Sequence, residues 1–238
     1  MEIDVLAIGA HPDDIELIIG GTIAKLTDSG YQVVIADLTR GEMGSRGTPD
    51  IRHREAMKAA KLLDVSDRIS LDLKDGKLEN NFENRIEVVE LIRRFRPKLV
   101  MTHYWDDLHP DHMTASRLIH EVMYPCGMPN FPANGEPYRP NEFLYFMGHW
   151  PFDPSFIVDV SDYFDKKLDA IRCYQSQLHN ENSNGWRTKI SHPDFLETVS
   201  ARARFYGEQI YKTYGEPFIT KRPVPVSDPV DLYLNFPK

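Results

Sequence analysis

Short apolar runs alternate with longer amphipathic stretches through the first half of this chain. Residues 3–9 and 32–38 are rich in Val, Ile and Leu, the pattern of parallel strands buried on both faces. Residues 69–73 and 98–102 make two shorter runs of the same kind. Between them, 15–29, 49–63 and 82–95 have helical length and spacing. Thr48 reads as an N-cap with Pro49 at the first helical position, and the third stretch stops before Pro97. Strands alternating with helices predict an α/β fold, a Rossmann-like, doubly wound and mainly parallel sheet flanked by helices. The expected strand order is 3-2-1-4-5, with a switch point between strands one and four.

The second half is less regular. Residues 125–140 hold five prolines and two glycines, which predicts a loop and a functional rim or contact surface. Residues 142–147 and 155–160 read as strands, and 162–177 and 193–213 as helices. The polar stretch 180–192 is a second candidate rim. The tail, with Pro217, Pro223, Pro225 and Pro229, reads as extended chain packed on the body or on a neighbouring subunit.

With 238 residues the chain is long enough for a sizeable core, and 41% hydrophobic with 27% charged residues is a globular balance. A formal charge of −8 argues against a nucleic-acid surface, which needs a basic face. No apolar run approaches the ~18 residues that span a bilayer, and no basic-then-apolar leader opens the sequence, so no membrane partner is expected. Cys126 and Cys173 make no disulfide framework; they read as reduced thiols of a cytoplasmic protein.

The chemistry gathers at two predicted strand ends. His11, Pro12, Asp13 and Asp14 follow the first strand, and His109, Asp111 and His112 follow the fourth. In the expected strand order these ends are neighbours at the ligand-binding edge. The best ligand set is His11, Asp14 and His112, two imidazoles and one carboxylate, which suits a borderline cation and leaves a position open. Asp13 is then free to handle protons, although the sequence alone could exchange Asp13 and Asp14. His109 could be a fourth ligand. Glu42, Arg46 and Arg52 lie on or after the loop ending strand two, at the same edge. Arginine forks suit carboxylates, and Arg46 is the expected clamp for a substrate carboxylate. A dinucleotide-binding module, or a non-catalytic metal-binding one, is the alternative from another class. The first of these is opposed by the turn after strand one, which lacks G-x-G-x-x-G and carries two carboxylates that would repel a pyrophosphate.

H-P-D-D-x-E at 11–16 with H-P-D-H at 109–112 resembles the LmbE-like (PIG-L) zinc-dependent N-acetylglucosaminyl deacetylases. T-R-G-E-M-G-S-R-G-T at 39–48 and Y-Q-S-Q-L at 174–178 resemble the bacillithiol-biosynthesis branch, which removes acetate from a glucosaminyl-malate conjugate. The resemblance runs from about residue 3 to about residue 222 and implies one LmbE-like domain over 1–238. It implies Zn²⁺, with Fe²⁺ or Co²⁺ also able to occupy such a set, on His11, Asp14 and His112. It implies Asp13 as general base, His109 as an imidazolium stabilising the oxyanion, and Asp111 as the carboxylate that orients His109. Arg52 and, less directly, Arg139 match positions at the substrate. Some relatives carry a tyrosine hydroxyl near Phe195, where phenylalanine cannot donate; His192 or His149 could replace it. Trimers or hexamers are the assembly that the resemblance implies.

Overall fold

The apolar runs form a seven-stranded sheet in a computed structural model that describes residues 2–181 and 185–234. β1 (Val5–Gly9) and β2 (Val33–Thr39) are buried along their whole length. Their side chains alternate between two cores. Leu6 and Ile8 of β1, with Val34 and Ala36 of β2, pack in the core that includes α3 (Phe82–Phe95) and α4 (Pro110–Val122). Val5, Ala7, Val33 and Ile35 pack in the opposite core with α1 (Asp14–Asp28), α2 (Pro49–Leu62) and α5 (Phe164–Arg172). Two covered faces are why these strands read as unbroken apolar runs.

β3 (Asp67–Leu73), β2, β1, β4 (Leu99–His103) and β5 (Glu142–Phe146) are parallel neighbours in that order. The sheet then continues past the expected edge. β7 (Gly215–Ile219) lies antiparallel between β5 and β6 (Phe156–Asp159). The stretch around Pro217, expected as extended chain packed on the body, is thus a strand of the sheet itself. Pro217 has no N–H to give a ladder, but β5 pairs only with Phe218 and Ile219, so Pro217 has a strand partner on the β6 side alone. The final α7 (Pro229–Leu234) is a short helix with Pro229, Val230, Tyr233 and Leu234 exposed.

Local chemistry sets the helix ends. Thr48 Oγ1 accepts from Ile51 N at 3.3 Å, with Pro49 at the first helical position. The expected helix over 162–177 is a 3-10 turn (Ser161–Tyr163) and then α5, ending at Arg172. Beyond it, Ser176 gives its backbone N–H and its hydroxyl to the two Glu55 oxygens, each at 2.7 Å, and Gln177 Nε2 donates to Arg46 O at 2.7 Å. Those bonds draw the chain out of the helix. The expected helix over 193–213 is α6 (Phe195–Glu208). It ends where Gly207 meets the returning chain, closely enough that a Cβ there would fall 2.7 Å from Tyr214 N.

Two buried ion networks fix α1, whose first turn carries the first chemical cluster. Arg68 donates to both oxygens of Asp37 at 2.8 Å and to Glu16 Oε1, so the glutamate of the first motif fastens the helix to β2 and β3. Further along, α1 bends at Ile19 (φ −122°). There Lys167 Nζ donates to Ile18 O at 2.8 Å, while Glu216 accepts from Gly21 N at 3.0 Å and Thr22 N at 2.7 Å. Side chains inserted into the helical ladder cause the kink.

Candidate active site

The strand ends meet as the order requires. Loops after β1, β3, β4 and β5 surround a cleft of about 380 Å³, and α6 closes one wall. His11, Asp13, Asp14, Asp75, His109, His112 and His149 line it. Asp14 is the centre of the cluster. Its Oδ2 lies 3.4 Å from His11 Nδ1 and its Oδ1 lies 3.3 Å from His112 Nε2. Each imidazole turns its other nitrogen to carboxylates. His11 Nε2 is 3.1 Å from Asp75 Oδ1 and 3.3 Å from Asp111 Oδ2, and His112 Nδ1 is 3.2 Å from Asp107 Oδ1. A carboxylate behind a histidine fixes its tautomer and leaves the inward nitrogen with its lone pair, the usual support of a metal-ligating histidine.

Electrostatics follow from this packing. Burial works against charge on His11, but Asp111, Asp14 and Asp75 hold its pKa well above the usual value. Burial likewise opposes charge on His112, and Asp14 and Asp107 raise it to about 9. Asp14, despite burial, is held well below the carboxylate range by His112 and His103. Asp14, Asp75, Asp107 and Asp111 crowd around these two imidazoles, so the site holds more carboxylate charge than neutral imidazoles balance. A divalent cation meets that demand with two imidazole nitrogens and a carboxylate, and this donor set fits it.

Other groups of donors overlap this one. Donor atoms of His11, His109 and His112 lie within 4.8 Å of one another, as do those of Asp14, His103 and His112. His103, expected to be an ordinary surface or core histidine, is fully buried against the cluster. Its Nε2 accepts from Ala10 N at 3.0 Å and lies 3.1 Å from Asp14 Oδ2, and burial lowers its pKa to about 4. Asp75, Asp107 and His103 were not singled out from the sequence. Asp107 was legible as the second aspartate of Y-W-D-D-L-H, and Asp75 as the Asp-Gly turn that ends β3.

Asp13 occupies a different position from Asp14. Its backbone has φ 112° at the N-cap of α1, a conformation few residues other than glycine adopt. Burial pushes its pKa up to about 7, with Arg52 pulling the other way and Asp14 adding to the rise. A carboxyl poised near neutrality in a cleft can both take and return a proton.

His109 is the N-cap of α4, and its Nδ1 accepts from Asp111 N at 3.2 Å. That bond uses the lone pair on Nδ1 and leaves Nε2 to face the cleft. Burial, followed by His11 and His112, lowers its pKa. Asp111 favours the charged form of His109 electrostatically, but its carboxylate makes no hydrogen bond to the ring. The Asp111 carboxylate faces His11 and accepts from Gly76 N at 2.7 Å instead.

The expected substrate contacts separate. Arg52 lines the cleft, yet its guanidinium is committed to Gly41 O (3.2 Å), Pro12 O (2.6 Å) and Asp13 Oδ2 (3.2 Å). Arg46 lies outside the cleft. It donates to the carbonyls of Ser176, Leu178 and Trp186 at 3.0–3.2 Å, so the carboxylate clamp assigned to it is corrected to a tie between loops. Glu42 is exposed and accepts from Asp75 N at 2.9 Å, away from the cleft wall. Arg139 stacks over the Tyr124 ring at 4.4 Å and donates to Tyr124 O, on the loop behind α4 and not at the cleft mouth. Of the residues offered in place of a tyrosine near Phe195, His149 lines the cleft and His192 does not. Trp105 and Trp150 do not line it. In the rim 180–192, residues 182–184 lie outside the described residues.

A doubly wound sheet with a buried His/Asp cluster at its switch point defines an α/β protein with a candidate metal centre. The family described as GlcNAc-PI de-N-acetylase (PIG-L) matches residues 6–123. A "Diacetylchitobiose deacetylase" of Thermococcus kodakarensis is 34% identical over 227 residues, covering 89% of this chain and 80% of that protein. A "Probable N-acetyl-alpha-D-glucosaminyl L-malate deacetylase 2" of Bacillus cereus is 30% identical, covering 74% and 84%. The crystal structure of a conserved protein from Thermus thermophilus superposes with a TM-score of 0.86 at 36% identity, covering 94% of this chain and 97% of that one. The chain belongs to the PIG-L (GlcNAc-PI de-N-acetylase) family.

Proposed function

We propose that the chain hydrolyses the acetamido group of an N-acetylglucosaminyl conjugate, with one divalent cation, zinc by donor preference, on His11, Asp14 and His112. The observation that carries this reading is the arrangement around Asp14, where both histidines present one nitrogen inward and are backed by carboxylates on the other. When bound, the cation activates a water and polarises the acetyl carbonyl.

The side chains supply the rest. Asp13 takes the proton of the attacking water as the new C–O bond forms. It returns that proton to the sugar nitrogen as the C–N bond breaks, which releases acetate and a free amine. His109, whose Nδ1 is occupied by Asp111 N, keeps its proton on Nε2 and donates it as a hydrogen bond to the oxyanion. Arg52 positions Asp13.

The substrate proposed is N-acetylglucosaminyl L-malate, on the 30% relationship to the Bacillus cereus protein and on the two motifs at 39–48 and 174–178. A neutral chitooligosaccharide is the competing substrate, supported by the 34% relationship to the Thermococcus protein. Acetate release from both compounds, with zinc titrated into metal-free protein, tests the reading. Zinc-dependent release with a preference for the malate conjugate is expected. Release that is independent of added metal, or absent from every acetylated sugar, contradicts it.

A further inference from the structure

α6 presents Phe195, Thr198, Val199 and Arg202 to the cleft, the i, i+3, i+4, i+7 face of one helix. An arginine on such a face, beside Phe195 and Val199, needs a partner. Arg202 Nη1 donates to Gly148 O at 2.8 Å. Among the described residues no other acceptor takes its remaining N–H groups, and no carboxylate pairs with it. Lys189 lines the same cleft from the 180–192 rim, is more exposed, and also has no carboxylate partner among the described residues.

The carboxylates of the cleft are already committed. Asp13 is held by Arg52, Asp14 by His11 and His112, and Asp75 by His11 and Met43 N. Asp107 accepts from His149 N and His109 N and faces the Nδ1 atoms of His112 and His149. Burial lowers the pKa of Lys189, and Arg202 lowers it further, as two cations sharing one wall require. Asp107 favours the charge on both from a distance but makes no ion pair with either, and its oxygens are taken by His109 N, His149 N and the two imidazoles.

We propose that Arg202, assisted by Lys189, receives an anionic substituent, a carboxylate, carried by the acetylated sugar. The inference rests on the deacetylase reading for the rest of the ligand. It moves carboxylate recognition from the loop after β2, where Arg46 is otherwise engaged, to the α6 wall. A guanidinium fork answers a carboxylate in two parallel bonds, and the lysine adds charge at the mouth.

The test uses the deacetylated pair, glucosaminyl L-malate and methyl glucosaminide, which cannot be turned over, titrated calorimetrically into the metal-loaded protein. The malate compound is expected to bind at least about tenfold tighter at low salt, and the gap should narrow as salt rises. Arg202→Gln lowers the malate-to-methyl affinity ratio about tenfold. Lys189→Gln, at an exposed position, lowers it about threefold. Arg202→Lys restores part of it. Equal binding of the two compounds by the unaltered protein overturns the proposal, as does an Arg202→Gln protein that weakens both equally, which would leave Arg202 only the task of holding Gly148. Acetate release from the acetylated pair separates the two readings. A malate preference with no release sinks the deacetylase reading and keeps the anion site; release from both without a preference does the reverse.

Discussion

Asp13 and Arg52 form a buried pair, with Asp13 Oδ2 3.2 Å from Arg52 Nη2, and the same nitrogen donates to the carbonyl of Pro12 at 2.6 Å. One guanidinium therefore holds both the carboxylate proposed as the base and the turn in which its backbone takes φ 112°. Arg52→Met removes the charge that lowers the Asp13 pKa, so the acid limb of the kcat/KM profile moves to higher pH and kcat falls. Asp13→Asn loses about 10²- to 10⁴-fold in kcat while retaining bound metal. An unmoved acid limb in the first variant, or full turnover in the second, removes Asp13 from the role of base.

Asp107 is the hub behind His112. Without it the imidazole loses the bond that keeps its Nε2 directed at Asp14. Asp107→Ala is expected to weaken metal affinity by about 10- to 100-fold, read by chelator competition. An unchanged affinity means that His112 is oriented by packing alone.

Metal-free protein should lose stability as pH rises. The His112 pKa is raised from 6.5 to about 9, so its contribution is complete below 6.5 and disappears on passing through 9. Asp13, raised from 3.8 to about 7, acts in the same direction over the lower window, because folding favours its proton. The melting temperature of chelator-treated protein should fall between pH 6.5 and 9, and added zinc should remove much of that fall. A metal-free melting temperature that rises across this window contradicts the charge balance described above.

Arg46→Ala tests the corrected role of that residue. It breaks three bonds to carbonyls that join the loop after β2 to the segment after α5, at a cost of about 1–3 kcal/mol for the groups left unpaired. Activity on acidic and neutral acetyl-sugars should fall by the same factor, together with thermal stability. A loss confined to the acidic substrate would return the carboxylate clamp to Arg46.

The fold was legible where burial is two-sided. Strands β1, β2 and β4 carry apolar runs, while β3 at the sheet edge alternates polar and apolar positions, and the helices between them have caps, such as Thr48 with Pro49, that depend on local sequence alone. β7 was not legible, because Pro217 breaks the strand pattern and its tolerance depends on which neighbour ends where. The long helix expected over 162–177 failed because Glu55, more than a hundred residues away, captures Ser176. The cluster was legible in part. His11, Asp13, Asp14, His109 and His112 stand in two compact motifs that the parallel order brings together. Asp75, His103 and Arg202 come from other elements, and a lone charge on a helix or loop gives no sign of which cavity it will enter. Arginines were the hardest to read, since a guanidinium that could clamp a ligand serves equally to tie carbonyls, as Arg46 and Arg93 both do.

Elemental analysis of the unaltered protein and of Asp14→Ala, each purified without added metal, tests the central claim most directly. About one divalent ion per chain is predicted for the unaltered protein, with little or none in Asp14→Ala and acetate release lost alongside it. An Asp14→Ala protein that keeps a full equivalent of metal and its acetate release would contradict the account.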